Sequence, residues 1–191
     1  GKLPPVLAGE NKSMRRELIG AIGYFNLRDY SIGPKLLAQL KKIQWPPGIE
    51  VDEMNWGPIA IVQQFQSLPD PYDRVIFLTA RSCGRLVGTI TLRQWNGGLP
   101  DEENIQARIS EAVTGVISAD NLLIIGEHFK IWPEEVFVVD VEPGKEEMGE
   151  TFTPEVEAVI DDVLEIIQEL AVKNSGALPA FEEMKGNELP I

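Results

Sequence analysis

Cysteine and histidine are scarce in this chain, with one of each, Cys83 and His128, among 191 residues. A single cysteine forms no internal disulfide, which favours a reducing compartment, and a cytoplasmic setting is expected. Cys83 lies between Arg81 and Arg85, two cations able to lower a thiol pKa. A cysteine nucleophile normally works with a histidine base, and His128 is far away in sequence. Long apolar runs are missing: no stretch approaches the roughly 20 residues that span a bilayer. The start, Gly1-Lys2-Leu3-Pro4-Pro5, has no apolar core of a secretory signal. No membrane association is therefore expected. Basic clusters are also missing, Arg15-Arg16 being the largest, and this argues against nucleic acid. Gly20-Ala-Ile-Gly23 lacks both the P-loop Gly-Lys-Ser/Thr and the dinucleotide fingerprint. No serine nucleophile elbow occurs, and no cofactor is expected.

What remains is ordinary globular composition, 43% apolar and 25% charged. The net charge of −13 is unevenly placed. Residues 1–132 hold 14 acids and 14 bases; residues 133–191 hold 16 acids and 3 bases. The acidic third reads as a solvated helix face or as a docking surface for a basic partner.

The length suits one domain. Residues 1–16 read as a loose arm, 17–173 as a single α/β domain, and 174–191 as a mobile Gly/Pro/polar tail. Within the domain, Glu17–Gly23 is a short buried strand. Ile32–Ile43 is a helix with Leu36, Leu37, Leu40 and Ile43 on one stripe. Ile49–Glu53 is a second strand, and 58–68 a helix bearing Ile59, Val62 and Phe65. Arg74–Leu78 is a continuous apolar run, as expected of a central strand covered on both faces. Leu86–Trp95 reads as a fourth strand, returning from the third through the short link Ser82–Arg85, antiparallel at an edge. Ser118 caps a helix to Phe129. Glu135–Val141 is the last strand, and Thr153-Pro154 starts a helix to about residue 173. The pattern predicts a three-layer α/β fold: a twisted, mostly parallel five-stranded sheet with one antiparallel edge strand and helices on both faces. Sites in such folds lie beyond the carboxyl ends of the strands.

Four ordered segments carry a resemblance. They are Gly23-Tyr-Phe-Asn-Leu-Arg-Asp-Tyr-Ser-Ile-Gly33-Pro34; Gly48-Ile-Glu-Val-Asp-Glu53; Tyr72-Asp-Arg-Val-Ile-Phe-Leu-Thr-Ala80 with Val87-Gly-Thr89; and Pro133 to Pro143 with Phe152-Thr-Pro-Glu-Val156. Together, over about residues 17–172, they resemble the hydrogenase maturation endopeptidases. That family removes a C-terminal peptide from the large subunit of a nickel-iron hydrogenase, with nickel held in the substrate. The resemblance implies a mixed sheet between two helix layers. It also implies three metal-contacting positions: an acid in the first loop, an aspartate after the third strand, and a histidine before the last strand.

Those positions align here with Tyr30, Thr79 and about Gly115. Tyrosine and threonine are neutral at pH 7 and glycine has no side chain, so no metal site and no catalytic residue are expected there. Asp29, Glu53, Trp56 and Arg81 are expected around the same cleft. The two acids read either as a residual carboxylate site or as loop-capping surface acids. Tyr24, Tyr30 and Trp56 are candidates for an aromatic pocket. Three readings follow. The first is a protease-like binding or accessory protein that has lost nickel-dependent cleavage, its partner a hydrogenase large subunit or a maturation factor. The second is an endopeptidase still trimming such a subunit. The third is a small-ligand-binding protein using the aromatic cleft.

Overall fold

Val75 and Phe77 on one side, and Ile76 and Leu78 on the other, are all fully buried, so strand 74–80 is covered on both faces. A computed structural model describes residues 15–190 and shows how that coverage arises. The expected arm lies outside the described residues, apart from Arg15 and Arg16.

Strands β1 (Glu17–Ala21), β2 (Ile49–Glu53), β3 (Arg74–Ala80), β4 (Ile90–Trp95), β5 (Glu135–Val141) and β6 (Glu182–Met184) form one sheet in the order β2-β1-β3-β5-β4-β6. Every neighbouring pair is parallel except β4 and β5. The helices are α1 (Ile32–Lys42), α2 (Pro58–Gln66), α3 (Glu102–Val113), α4 (Ala119–His128), α5 (Pro154–Glu157) and α6 (Ile160–Val172). One core packs Ile61 and Phe65 of α2, Ile105 of α3 and Leu122 and Leu123 of α4 against Val75, Phe77, Val136 and Val138. The other packs Leu36 and Leu40 of α1 and Val163, Ile167 and Leu170 of α6 against Ile76, Leu78, Phe137 and Val139. Side chains on a strand alternate between faces, so the uninterrupted apolar runs of β3 and β5 feed both cores. The three-layer α/β reading holds. No helix among the described residues is long and apolar enough to cross a membrane.

The fold differs from expectation at three points. It has six strands, because the segment read as a mobile tail supplies β6 against β4. Met184 enters the core that also holds Trp95, and Phe181 stacks on Phe137 with ring centroids 4.4 Å apart. Buried Arg108 donates to the carbonyls of Leu189 (3.0 Å) and Pro190 (2.9 Å). Second, β4 is antiparallel but is neither an edge strand nor a hairpin partner of β3, since β5 lies between them. It starts only at Ile90, because the chain from Ser82 wraps around the Glu142 carboxylate. That carboxylate accepts from the N–H groups of Cys83 (3.0 Å) and Arg85 (3.0 Å). Gly88 in this turn has φ +89°, and a Cβ there would sit 2.7 Å from the Glu155 carbonyl. Third, the last long helix is broken at 158–159 into α5 and α6. Thr153 precedes it without capping it, because its hydroxyl is engaged elsewhere.

Candidate functional site

The carboxyl ends of β1 and β3 open into a cleft of about 270 Å³. Tyr24 and Tyr30 come from the loop after β1, and Thr79, Arg81 and Ser82 from the end of β3. Ile117, Ser118 and Asp120 come from the start of α4, Arg93 from β4 and Glu146 from the loop after β5. Tyr24 is held by its hydroxyl, which accepts from the Ile117 N–H at 3.0 Å. Tyr30 is half-buried, and burial pushes its phenol pKa up, with Glu146, Glu142 and Asp29 adding to the shift.

A charged cluster that the sequence reading missed closes the floor. Arg93 is 4% exposed and Asp140 is 2% exposed. Arg93 donates through Nη2 to Asp140 Oδ1 at 3.1 Å and through Nε to Oδ2, a bidentate pair. Its Nη1 reaches Asp120 Oδ1 at 3.2 Å. Burial disfavours the Arg93 charge, but Asp140 and Asp120 outweigh it and raise its pKa above the ordinary arginine value. Arg81 Nε stands 3.6 Å from Asp140 Oδ2, within ion-pair reach but too long for a hydrogen bond. Thr79 lies beside Asp140 in the β3–β5 register and is 7% exposed. A signal for this cluster was available. An arginine on the Thr91-Arg93-Trp95 face of β4 and an aspartate on the otherwise apolar Val136-Val138-Asp140 face of β5 are charges at buried strand positions, and buried charges occur in pairs.

Tyr30, Thr79 and Arg81 do share one cleft. The other expected residues do not join them. Asp29 is 1% exposed and lines no part of the cleft. Its carboxylate accepts from Gly144 N–H (2.7 Å), Thr153 N–H (2.8 Å) and the Thr153 hydroxyl (2.8 Å). It therefore ties the first loop to the turn after β5. Glu53 accepts from Asn55 Nδ2 at 3.0 Å, and Asn55 Oδ1 in turn accepts from the Gly23 N–H at 2.8 Å. Its role is to orient a loop amide. Gly115 ends α3 with φ +92° and lines a second, smaller cleft of about 180 Å³ with Asn55 and Trp56. Trp56 is 49% exposed there, so it does not complete an aromatic pocket with Tyr24 and Tyr30. Ile117 and Ser118, two and three residues beyond Gly115, are the positions that reach the main cleft.

Cys83 is exposed, with Sγ 3.1 Å from Glu142 Oε1. Partial burial and that carboxylate push its thiol pKa up, and Arg81 and Arg85 do not reverse the shift. His128 is exposed at the end of α4. Among the described residues no group of three or more His, Cys, Asp and Glu gathers with metal-binding geometry. With Asp120 tied to Arg93 and Glu146 the single cleft acid without a partner among the described residues, the cleft does not offer a divalent ion the several imidazole, thiolate or free carboxylate donors it needs.

The chain shares the fold of the hydrogenase maturation endopeptidases. An endopeptidase from Escherichia coli superposes with a TM-score of 0.60 at 24% identity, over 87% of this chain and 97% of that one. The hydrogenase maturating endopeptidase HybD from E. coli gives 0.58 at 22% identity, over 80% and 89%. The NiFe hydrogenase maturation protease HycI from Thermococcus kodakarensis gives 0.56 at 19% identity, over 88% and 99%. No family model and no curated protein matches the sequence.

Proposed function

We propose that this chain is a hydrogenase maturation protease-like protein that works in the cytoplasm by binding, without nickel-dependent peptidase chemistry. Its cleft is the contact site, and its partner is a hydrogenase large subunit or another maturation factor. One observation carries the reading. Tyr30 and Thr79 sit in the cleft where the resemblance calls for carboxylates, and Asp140, beside Thr79 in the β3–β5 register, is committed to Arg93. A carboxylate already held by a guanidinium is a poor ligand for a metal carried in by a substrate. The acidic third of the chain and the lone cysteine agree with a soluble protein of a reducing compartment.

Calorimetry with nickel(II) and incubation with a nickel-loaded hydrogenase large-subunit precursor test this together. The expected result is no stoichiometric nickel binding and no C-terminal cleavage. Tight one-to-one binding, or release of a C-terminal peptide, would favour the second reading, an endopeptidase using nickel supplied by its substrate. The open cleft at the same strand ends is what keeps that reading in play.

A further inference from the structure

Away from the main cleft, α2 and the later part of α3 present a surface unlike the rest of this acidic chain. A quarter of all residues are charged, yet none is from Met54 to Pro69. From Asn104 to Ala119 the charges are Arg108 and Glu111 alone. Arg108 is buried, donating to Asn104 and Asn121, and Glu111 accepts from Asn121 Nδ2 at 2.9 Å. The acids Glu102 and Glu103 stand in the first turn of α3, at its far end. What faces solvent between them is apolar or neutral. Trp56 is 49% exposed, Ile59 41%, Val113 81% and Val116 39%. Single exposed apolar residues are ordinary, but these four surround one depression. A groove of about 130 Å³ lies between α2 and α3, with Ile59 on one wall, Ile109, Ala112 and Val113 on the other, and Ile125 of α4 beneath. Its neighbour is the 180 Å³ cleft of Trp56 and Val116, which shares Gly57, Pro58 and Ala112 with it. Among the described residues no charged side chain lines either one.

We propose that this face binds a second copy of the chain, two copies packing about a two-fold axis with Val113 of each entering the groove of the other. Charge and shape both point to that occupant. Two bodies of net charge −13 repel, and like charges set against each other across an interface are costly, so close approach is least opposed where acids are missing. A basic partner would be drawn elsewhere, to the acidic residues 133–191, whose long helix α6 packs on the opposite side of the sheet. The face is also self-complementary. Val113 edges the groove and projects from it, so a knob and a hole stand side by side. The hole has the volume of about four liquid waters at roughly 30 Å³ each, the size of a branched aliphatic side chain. A two-fold axis brings each knob to the other copy's hole, as in an isologous dimer. Depletion of charge around an aromatic residue, here Trp56, is the composition of an interface centre.

Sedimentation equilibrium of the full chain tests this at about 0.05 M and about 0.5 M salt. The expected result is a monomer–dimer equilibrium that tightens at the higher salt, because salt screens the repulsion between two acidic bodies and leaves the apolar contact in place. Val113→Glu and Ile59→Lys, made separately, each put a charge into the contact and are expected to weaken the dimer roughly tenfold or more. Both positions are exposed, and circular dichroism confirms that each variant is folded before its mass is read. A chain that stays monomeric at every concentration and both salts overturns the proposal. So does a dimer that neither variant weakens, or one that the higher salt dissociates. A monomeric chain that captures a hydrogenase large-subunit precursor through this face, and loses it in Val113→Glu, gives the face to that partner and overturns self-association as well. Nickel calorimetry reports on the main cleft and is independent of these outcomes.

Discussion

Arg93 of β4 and Asp140 of β5 meet through two hydrogen bonds beneath the cleft, and both side chains are almost fully buried. Removing one partner leaves an uncompensated buried charge. Arg93→Ala is expected to lower stability by about 3–5 kcal/mol, read as a fall in the urea midpoint. The double replacement Arg93→Met with Asp140→Leu is expected to cost less than Arg93→Ala alone, because a dry apolar pair needs no compensation. If the double variant is the less stable of the two, the pair is stabilising beyond mutual neutralisation.

Asp29 gives a second prediction. Asp29→Ala strands the N–H groups of Gly144 and Thr153 in a part-buried turn. Leaving such donors unpaired costs about 1–3 kcal/mol each, so a loss of roughly 2 kcal/mol or more is expected in thermal or urea unfolding. Thr153→Val removes a single hydroxyl donor and is expected to cost about 1 kcal/mol.

The Glu142 carboxylate makes the 82–88 turn sensitive to acid. Burial raises its pKa, but the Cys83 thiol and the N–H groups of Cys83 and Arg85 outweigh that and hold it below the ordinary carboxylate value. A group lowered on folding stabilises fully above its unfolded pKa, and that stabilisation is lost as pH falls through the folded value. Amide exchange at Cys83 and Arg85, corrected for intrinsic rates, should stay protected through mildly acidic pH and open only below the ordinary glutamate range. Glu142→Gln should abolish that pH dependence. It should also bring the Cys83 thiol back toward its ordinary value, so alkylation near neutral pH is expected to become several-fold faster.

Phe181 tests whether the C-terminal segment belongs to the fold. Its ring stacks on Phe137 of β5 with 3° between planes. Phe181→Ala is expected to cost about 2 kcal/mol, below the fully buried range because Phe181 is only partly covered. A cost near zero would mean that the segment packs without contributing stability.

The parts of this molecule legible in the sequence are those whose signal is local. Arg74–Leu78 reads as a central strand because five consecutive residues need cover on both faces, and the structure supplies it. Glu182–Met184 is unreadable because it is three residues long, mostly charged, and pairs only because Met184 joins the core that holds Trp95. Leu86–Thr89 was read as strand because Val87 leads into the apolar Ile90 and Leu92, yet the Glu142 carboxylate, more than fifty positions later, holds that stretch in a loop. At the site, Tyr30 and Thr79 were placed together because the resemblance aligns both with metal-contacting positions, and they do lie at the carboxyl ends of neighbouring parallel strands. Asp29 was expected beside them but is drawn away from the cleft, because the donors that bury it are 115 and 124 residues away. Arg93 and Asp140 were overlooked because each looks like an ordinary strand charge until the antiparallel register sets them diagonally across β4 and β5.

The Asp29 clamp also bears on when the cleft comes into being. During synthesis residue 29 emerges before its partners at 144 and 153, which follow only after five of the six strands have been made. A buried carboxylate without donors is unfavourable, so the loop bearing Tyr24 and Tyr30 has no settled position until then. Contacts of such long sequence separation close late and slow the final ordering of a chain. A nascent or truncated form ending just before residue 144 would therefore hold β1 to β5 but no finished cleft. Any binding that uses this cleft has to wait until the chain past residue 153 has been made.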